Sequence, residues 1–331
     1  MSSTVAPESI LKELAALWVQ EGKQGDAGVL RACSMTLVVV AEAARDAVAL
    51  GETIAALMPE HPARSILILL LGEGERALSQ RVYQQCWMPF GQRRQICCEQ
   101  IEIAASDAAL ADLPSVILPL AVPDLPVILW CQSARLVRRP EFADLARMAT
   151  KVVIDSAADA DAIGAIRRLA DAVGSGGGIA GLVWADLAWT RLTRWRETLA
   201  RVFENRDTLA RLAEVQSVHV RFGPGFETAA WYLAAWAANA LASVGQAVTP
   251  VVGQQEASLR LELSGGAFRV ELSRQDDRLV TVVNEQSNCT NLPWPADYHL
   301  MREELGIVRR DPVFEATLAS AARLAVSSLR S

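Results

Sequence analysis

The 331-residue sequence has no long hydrophobic run. Its longest uninterrupted aliphatic stretch, Ile66–Leu71, has six residues, whereas a membrane-spanning helix needs about 20. The first residues also lack the basic and then apolar pattern of a secretory signal. Basic residues are not in excess, since 32 Lys and Arg accompany 38 Asp and Glu, for a net charge of −6. That balance argues against a protein that neutralises nucleic-acid phosphates. We therefore expect a cytoplasmic protein that binds neither membranes nor nucleic acid.

Cysteine and histidine are few and scattered. There are six Cys and three His, with no C-x-x-C spacing and no histidine within five residues of a cysteine. The sequence therefore predicts no zinc site, and disulfides are disfavoured in the cytoplasm. We interpret the cysteines as small buried hydrophobic residues, with a redox-sensing thiol as the alternative. The adjacent Cys97 and Cys98 fit a sensor poorly, because neighbouring side chains on a strand point to opposite faces.

Catalytic motifs are absent too, since the chain has no G-x-S-x-G, H-E-x-x-H or P-loop. Residues 72–77, Gly-Glu-Gly-Glu-Arg-Ala, match the G-x-G-x-x-A form of the dinucleotide fingerprint, which needs a helix to begin there. The residues that follow alternate like a strand, so a plain turn is favoured over a cofactor site. We expect no catalytic residue, no cofactor and no metal.

What the chain does contain is a regular alternation of strand and helix patterns. Its length predicts about two domains. Residues 34–41, 45–57 and 65–71 read as a strand, a helix and a strand, while 77–86 and 95–104 read as two antiparallel strands. Repeated alternation of this kind places helices on both faces of a sheet. The first part is therefore predicted to be an α/β domain with a mixed sheet.

A glycine-rich stretch at residues 175–178 is the predicted linker. It divides the chain into the α/β domain, residues 1–174, and an α+β domain, residues 179–331. Residues 186–203 of the second domain read as one continuous helix. The sequence thus predicts two domains that follow one another along the chain.

An antiparallel meander is predicted in the second domain. Apolar residues alternate with charged ones over 259–272, which indicates a hairpin with Gly265-Gly266 as its two-residue loop. This register pairs Leu261 with Val270 and Glu262 with Arg269. It also turns the six alternate apolar residues towards the core: Leu259, Leu261, Leu263, Phe268, Val270 and Leu272. A third strand at 279–283 completes the meander.

Tryptophan and arginine are concentrated in residues 184–196, which contain three of each. These residue types dominate interface hot spots. On a continuous helix, Trp189 and Trp195 lie about 120° apart, so one of them is expected to point away from the core and towards a partner. A large aromatic core is the alternative.

A candidate anion site follows the predicted strand 215–222. Arg221 precedes the turn Gly223-Pro224-Gly225, and a helix begins directly after that turn. Free backbone N–H groups at a helix N-terminus bind phosphate or carboxylate. Arg221, Gly223 and Gly225 are therefore the anion-binding candidates, with a plain turn as the alternative.

Six segments in both halves carry a resemblance: RACSMTLVV (31–39), HPAR (61–64), CEQI (98–101), LPLAVPDLPVILW (118–130), VIDS (153–156) and DLAWTRLTRWRE (186–197). They resemble, in order, the OpcA family of glucose-6-phosphate dehydrogenase assembly proteins. The family usually has a second Trp where this chain has Cys131, and Pro where it has Arg194.

The resemblance implies a non-catalytic protein that binds glucose-6-phosphate dehydrogenase and promotes its active oligomer in the oxidative pentose phosphate pathway. The alternative function is an α/β enzyme or sensor that binds a sugar phosphate or nucleotide through the candidate anion site. The residues expected to contact the dehydrogenase are Asp124, Trp130, Asp186, Trp189, Arg191, Arg194, Trp195 and Arg196.

Overall fold

Two compact units make up the protein. The computed structural model describes residues 6–24, 29–43, 47–87, 95–174 and 181–328. Unit 1 comprises residues 1–158, 179–185 and 297–308, and unit 2 comprises residues 159–178, 186–296 and 309–331. The predicted linker, 175–178, lies outside the described residues.

The described residues contain helices before, between and after the strands. None of those in the described ranges is long and apolar enough to cross a membrane. They are α1 (Pro7–Gln24), α2 (Ala47–Leu57), α3 (Leu113–Ile117), α4 (Ala134–Val137), α5 (Glu141–Ala146), α6 (Ala162–Gly174), α7 (Leu187–Thr190), α8 (Thr193–Val202), α9 (Arg206–Ala210), α10 (Glu227–Ser243), α11 (Asp297–Gly306) and α12 (Pro312–Ser328).

An eight-stranded sheet forms the centre of unit 1. Its strands are β1 (Val29–Arg31), β2 (Met35–Glu42), β3 (Ala63–Gly72), β4 (Leu78–Trp87), β5 (Gln95–Ser106), β6 (Val127–Cys131), β7 (Lys151–Ile154) and β8 (Val183–Asp186). Their order is β1-β5-β3-β2-β6-β7-β8, and β4 pairs antiparallel with β5. Because β2 is parallel to β3 and β6, the sheet is mixed, which confirms the predicted α/β class.

The central strands are buried on both faces. Every residue of Met35–Ala41 is buried, and such continuous apolar runs are typical of parallel strands covered on both sides. Residues 72–77 form the turn between β3 and β4, where Gly72 has φ +85°. A strand and not a helix follows this turn, as its alternating pattern predicts.

A six-stranded sheet forms the core of unit 2. The strands are β9 (Ser217–Phe222), β10 (Val251–Gln254), β11 (Arg260–Gly265), β12 (Phe268–Gln275), β13 (Arg278–Val283) and β14 (Gln286–Asn291), in the order β10-β9-β11-β12-β13-β14. The strands β11 to β13 form the predicted antiparallel meander, and β14, which was not predicted, extends it antiparallel to β13. The unpredicted β10 is parallel to β9, because α10 connects them as a crossover.

The predicted hairpin register is wrong, although the predicted faces are right. Leu261 pairs with Leu272 and Glu262 with Glu271, so the loop is Gly266-Ala267. Gly266 has φ +58°, as the first central residue of a type II′ turn requires. The partner strand is displaced by two residues from the predicted register, and a displacement by two preserves the faces. All six alternate apolar residues are accordingly buried.

The cysteines correct one expectation and confirm another. Cys97 is disulfide-bonded, although the sequence predicted no disulfide. In the β4–β5 register it lies opposite Cys86, and sequence spacing does not reveal such a cross-strand pairing. Cys98 and Cys131 are buried free thiols, as predicted, and burial raises their pKa to about 11 and about 12, respectively.

The division into units differs from the predicted boundary between residues 174 and 179. Two later segments belong to unit 1: residues 179–185, which include most of β8, and residues 297–308, which include α11. The reason is strand pairing and charge pairing. Strand β8 extends the first sheet next to β7, and Lys151 of β7 forms an ion pair with Glu304 of α11. The glycine-rich composition of residues 175–178 did not reveal that two later segments belong to unit 1.

Candidate functional site

The carboxyl edge of the first sheet is where ligands bind in many α/β proteins. Strand order reverses at β2, because β3 lies on one side of it and β6 on the other. In doubly wound sheets this reversal creates a crevice at the carboxyl ends of the strands. In this chain Glu42 is the last residue of β2, and Ser133 follows β6 closely.

A network of ion pairs occupies this edge. Ser133 donates its hydroxyl hydrogen to Glu42 Oε1, and Arg135 Nη2 lies 3.0 Å from Glu42 Oε2. Arg135 Nη1 lies 2.5 Å and Arg139 Nη1 3.0 Å from Asp107 Oδ2. The hydrogen bond from Arg135 lowers the pKa of the Asp107 carboxyl. Arg139 also lies 3.4 Å from the carboxylate of Glu141. Three carboxylates therefore pair with the two guanidinium groups, and no positive charge is left over.

This network does not fit a dinucleotide pyrophosphate. A Gly-rich loop normally follows the first strand there, so that the phosphates approach backbone N–H groups closely. This chain has no glycine between Glu42 and Gly51, and the Glu42 carboxylate would repel a phosphate. Sequence reasoning missed the network. A charged residue that ends an apolar strand, Glu42, was the available signal.

The segment 186–203 is two helices and not the predicted single helix. Helix α7 ends at Thr190, and α8 begins at Thr193. The break at Arg191–Leu192 changes the direction in which the following side chains point. Trp189 and Trp195 are therefore both buried, each 3% exposed. The expectation that one of them points away from the core is wrong, because it assumed a continuous helix.

Hydrogen bonds to Asp186 and Trp189 fix this segment within unit 2. The fully buried Asp186 carboxylate accepts from the backbone N–H of Ala188 (3.0 Å) and from the Tyr232 hydroxyl (2.7 Å). Trp189 Nε1 donates to Asp311 Oδ2 (3.2 Å). The Arg196 guanidinium lies 3.6 Å from the centre of the Trp189 ring. Asp186, Trp189 and Arg196 thus make the contacts of a core cluster.

The remaining partner-binding candidates differ in exposure. Trp130 is fully buried, whereas Asp124 is exposed in a turn with φ +63°. Arg194 is 70% exposed and pairs with Glu197 at 3.0 Å. Arg191 is half-buried, with its guanidinium 5.8 Å from the centre of the Trp294 ring. Only the candidates with exposed atoms can touch a partner directly, and their role stays a prediction.

Backbone geometry accounts for the presence of Gly223 and Gly225, and an ion pair accounts for that of Arg221. A Cβ at Gly223 would lie 2.5 Å from the carbonyl carbon of Ala257, and Gly225 has φ +80°, so both positions require glycine. Arg221 alternates with the buried residues of β9 and lies 3.6 Å from Glu262 on the other face. Glu227 adds a carboxylate to the first turn of α10. Anion binding here stays a prediction.

Two family models match the two parts of the chain. The model described as the glucose-6-phosphate dehydrogenase subunit N-terminal domain matches residues 54–171, and the C-terminal domain model matches residues 183–318. Together they cover well over half of a chain that combines an α/β and an α+β part. The chain belongs to the OpcA family of glucose-6-phosphate dehydrogenase assembly proteins.

Curated relatives give the same family. A protein provisionally named OxPP cycle protein OpcA, from Synechococcus elongatus, is 27% identical over 67% of this chain and 47% of its own length. One with the same name from Nostoc punctiforme is 30% identical over 44% of this chain and 30% of its own length. The chain thus spans about half the length, or less, of the curated relatives that it matches.

Solved structures show only a distant likeness. A provisionally named oxidoreductase, yvaA, from Bacillus subtilis has 8% identity and a TM-score of 0.43 over 93% of this chain and 98% of its own. Biliverdin reductase from Synechocystis, in complex with biliverdin and NADP+, has 9% identity and a TM-score of 0.41 over 88% and 98%. At this level the likeness says nothing about activity.

Proposed function

We propose that this chain is a non-catalytic assembly factor that binds glucose-6-phosphate dehydrogenase, promotes its active oligomer and thereby serves the oxidative pentose phosphate pathway. The match of both parts of the chain to the glucose-6-phosphate dehydrogenase subunit models carries the proposal. The OxPP cycle names of the relatives support the same pathway. A cytoplasmic location is part of this proposal, since the dehydrogenase uses soluble substrates.

The chemistry of the first sheet supports a non-catalytic role. Ion pairs among Glu42, Arg135 and Asp107 hold the edge at which a cofactor phosphate would bind. The fingerprint-like residues 72–77 lead into a strand, so no helix begins directly after them, as a pyrophosphate site would require. Both observations favour an effect on a partner enzyme over a reaction of the chain's own.

The test compares the chain alone with the chain added to its cognate dehydrogenase. We expect no NADP reduction with glucose 6-phosphate from the chain alone. We expect a change in the dehydrogenase's rate, substrate dependence or oligomer size when the chain is added. Reduction by the chain alone, or a dehydrogenase unchanged in all three respects, contradicts the proposal. A thermal shift with a sugar phosphate or nucleotide, together with an unchanged dehydrogenase, would instead favour the enzyme or sensor alternative.

A further inference from the structure

Strand β4 forms an unpaired edge of the sheet in unit 1. Among the described strands it pairs with β5 alone, in an uninterrupted register from Leu78 to Trp87. A long edge strand is a template for pairing with another strand, and proteins usually block it with proline, lysine, a bulge or a short strand. Residues 78–87 contain no proline, no lysine and one charged residue, Arg81. The edge of β4 is therefore suited to accept a further strand.

The backbone groups at this edge belong to alternate residues. The backbone N–H of Ser106 donates to the carbonyl oxygen of Ala77 (3.0 Å), so Ala77 forms its hydrogen bonds towards β5. The direction of these bonds alternates along an antiparallel strand. The N–H and carbonyl groups of Gln80, Val82 and Gln84 consequently point away from β5. They are the groups that a strand on the open side would meet.

Two glutamine amides of β4 each leave one polar atom without a partner in the described part of the chain. Gln80 Oε1 is a buried acceptor and Gln84 Nε2 a buried donor, and neither forms a hydrogen bond. Gln80 Nε2 donates to Ser9 Oγ of α1 (3.4 Å), so Gln80 lies on the α1 face of β4. Gln84 lies on the same face, because the side chains of a strand alternate with a period of two. Buried polar atoms without partners cost free energy, and these two are complementary.

The opposite face of β4 carries an arginine and a tyrosine. Arg81 is exposed, and the Tyr83 side chain is 37% exposed. Gln100 Nε2 donates to the Tyr83 hydroxyl oxygen (2.9 Å), which orders the ring. In the register of the sheet, Arg81 lies opposite Glu102 of β5. A guanidinium and an ordered aromatic ring attract each other where a neighbouring strand brings them together.

We propose that two copies of this chain dimerise through an antiparallel pair of β4 strands, with the twofold axis at Val82. Such an axis places residue 80 of one protomer opposite residue 84 of the second copy, and residue 81 opposite residue 83. The Gln80 acceptor then meets the Gln84 donor, because directly opposite residues have Cβ atoms about 5 Å apart and the last torsion of glutamine turns easily. Arg81 meets Tyr83 on the other face.

Neighbouring registers lack this complementarity. A twofold axis at Arg81 would place two arginines opposite each other, and directly opposed like charges are destabilising. An axis at Tyr83 would place Gln84 opposite Val82 and leave both amide atoms without partners. Since the matching groups lie within one strand, the occupant that they favour is a second copy of the chain. This inference goes beyond the proposed function and does not depend on it.

The experiment measures the oligomeric state of the full chain by analytical ultracentrifugation over about a hundredfold range of concentration. We expect a dimer whose fraction rises with concentration. Tyr83→Arg places two arginines opposite each other, so its dissociation constant should rise at least about tenfold. Tyr83→Glu places a carboxylate opposite Arg81 and should stay within about threefold of the wild type. The control is Leu118→Arg elsewhere in unit 1, where Leu118 is 61% exposed, and it should also stay within about threefold.

Each of these measurements can overturn the inference. It is overturned if the wild type stays monomeric, if Tyr83→Arg dimerises like the wild type, or if Leu118→Arg or Tyr83→Glu loses as much affinity as Tyr83→Arg. Circular dichroism checks the fold of each variant. Hydrogen exchange of the wild type needs no variant, since peptides within residues 78–87 must exchange more slowly as concentration rises and their outward N–H groups become bonded. An unchanged rate would show that any dimer forms through another surface.

Discussion

Lys151 and Glu304 form an ion pair inside unit 1, with each side chain 5% exposed. Lys151 Nζ donates to Glu304 Oε2 (2.8 Å) and also to the backbone carbonyls of Glu304 (2.6 Å) and Ile307 (2.9 Å). The cation thus binds the C-terminal end of α11, where the helix dipole favours positive charge. One ammonium group joins β7, the strand next to the edge of the sheet, to a helix that is distant in the sequence.

Lys151→Met is expected to lower the free energy of unfolding by about 3–5 kcal/mol, because it leaves a buried carboxylate without its cation. The matched control is Arg302→Met, because Arg302 lies on α11, the helix that Lys151 binds. Arg302 and Glu60 are 50% and 46% exposed, so that loss should be about 0–1 kcal/mol. Urea unfolding at neutral pH measures both variants. Equal losses would show that the buried pair has no special role.

At the scale of the element, the hairpin of β11 and β12 shows what residue patterns determine. Charge pairing does not follow directly opposed positions, since Glu262 faces Glu271. Arg269 relieves the repulsion by contacting both carboxylates, at 3.0 Å and 2.7 Å. Opposite charges on the outer face of the hairpin therefore pair between diagonal positions of the two strands. This explains why a register derived from directly opposed charges was wrong.

Gly265, the last residue of β11, and Gly266, the first residue of the loop, should differ in their sensitivity to substitution. Gly266→Ala places a Cβ at φ +58°, which costs about 1–2 kcal/mol. Gly265→Ala should cost more, because its Cβ would lie 1.8 Å from the carbonyl oxygen of Glu214, a backbone atom. Urea unfolding of both variants checks the order. A smaller loss for Gly265→Ala than for Gly266→Ala would contradict this account of the loop.

The elements themselves were largely predictable, and their details were not. Alternating and continuous apolar patterns located β2, β3 and the meander, because burial imposes those periods. The break after Thr190 was not predictable, because the apolar spacing continues across it and only the packing of both Trp189 and Trp195 reveals it. The polar cluster at Glu42 was likewise hidden, since its partners come together only in the folded sheet.

At the scale of the whole molecule, the chain completes unit 1 with two segments that follow the predicted boundary. Residues 179–185 and 297–308 both return to it. The backbone N–H of Val183 in β8 donates to Thr150 just before β7 (3.0 Å). The match to the N-terminal family model ends at residue 171, and the match to the C-terminal model begins at residue 183. The two compact units are nevertheless not divided at a single point between these residues.

A fragment of residues 1–174 should therefore fail to unfold cooperatively. Without β8, strand β7 becomes an edge with unpaired backbone groups, and without α11 the buried Lys151 loses every acceptor described above. We expect a shallow urea transition with exposed hydrophobic surface, measured by circular dichroism and dye binding. The control is a full-length chain cleaved only within residues 175–178, which retains both missing elements and should keep a sharp transition. A sharp transition for the 1–174 fragment would show that the predicted contiguous domain folds without them.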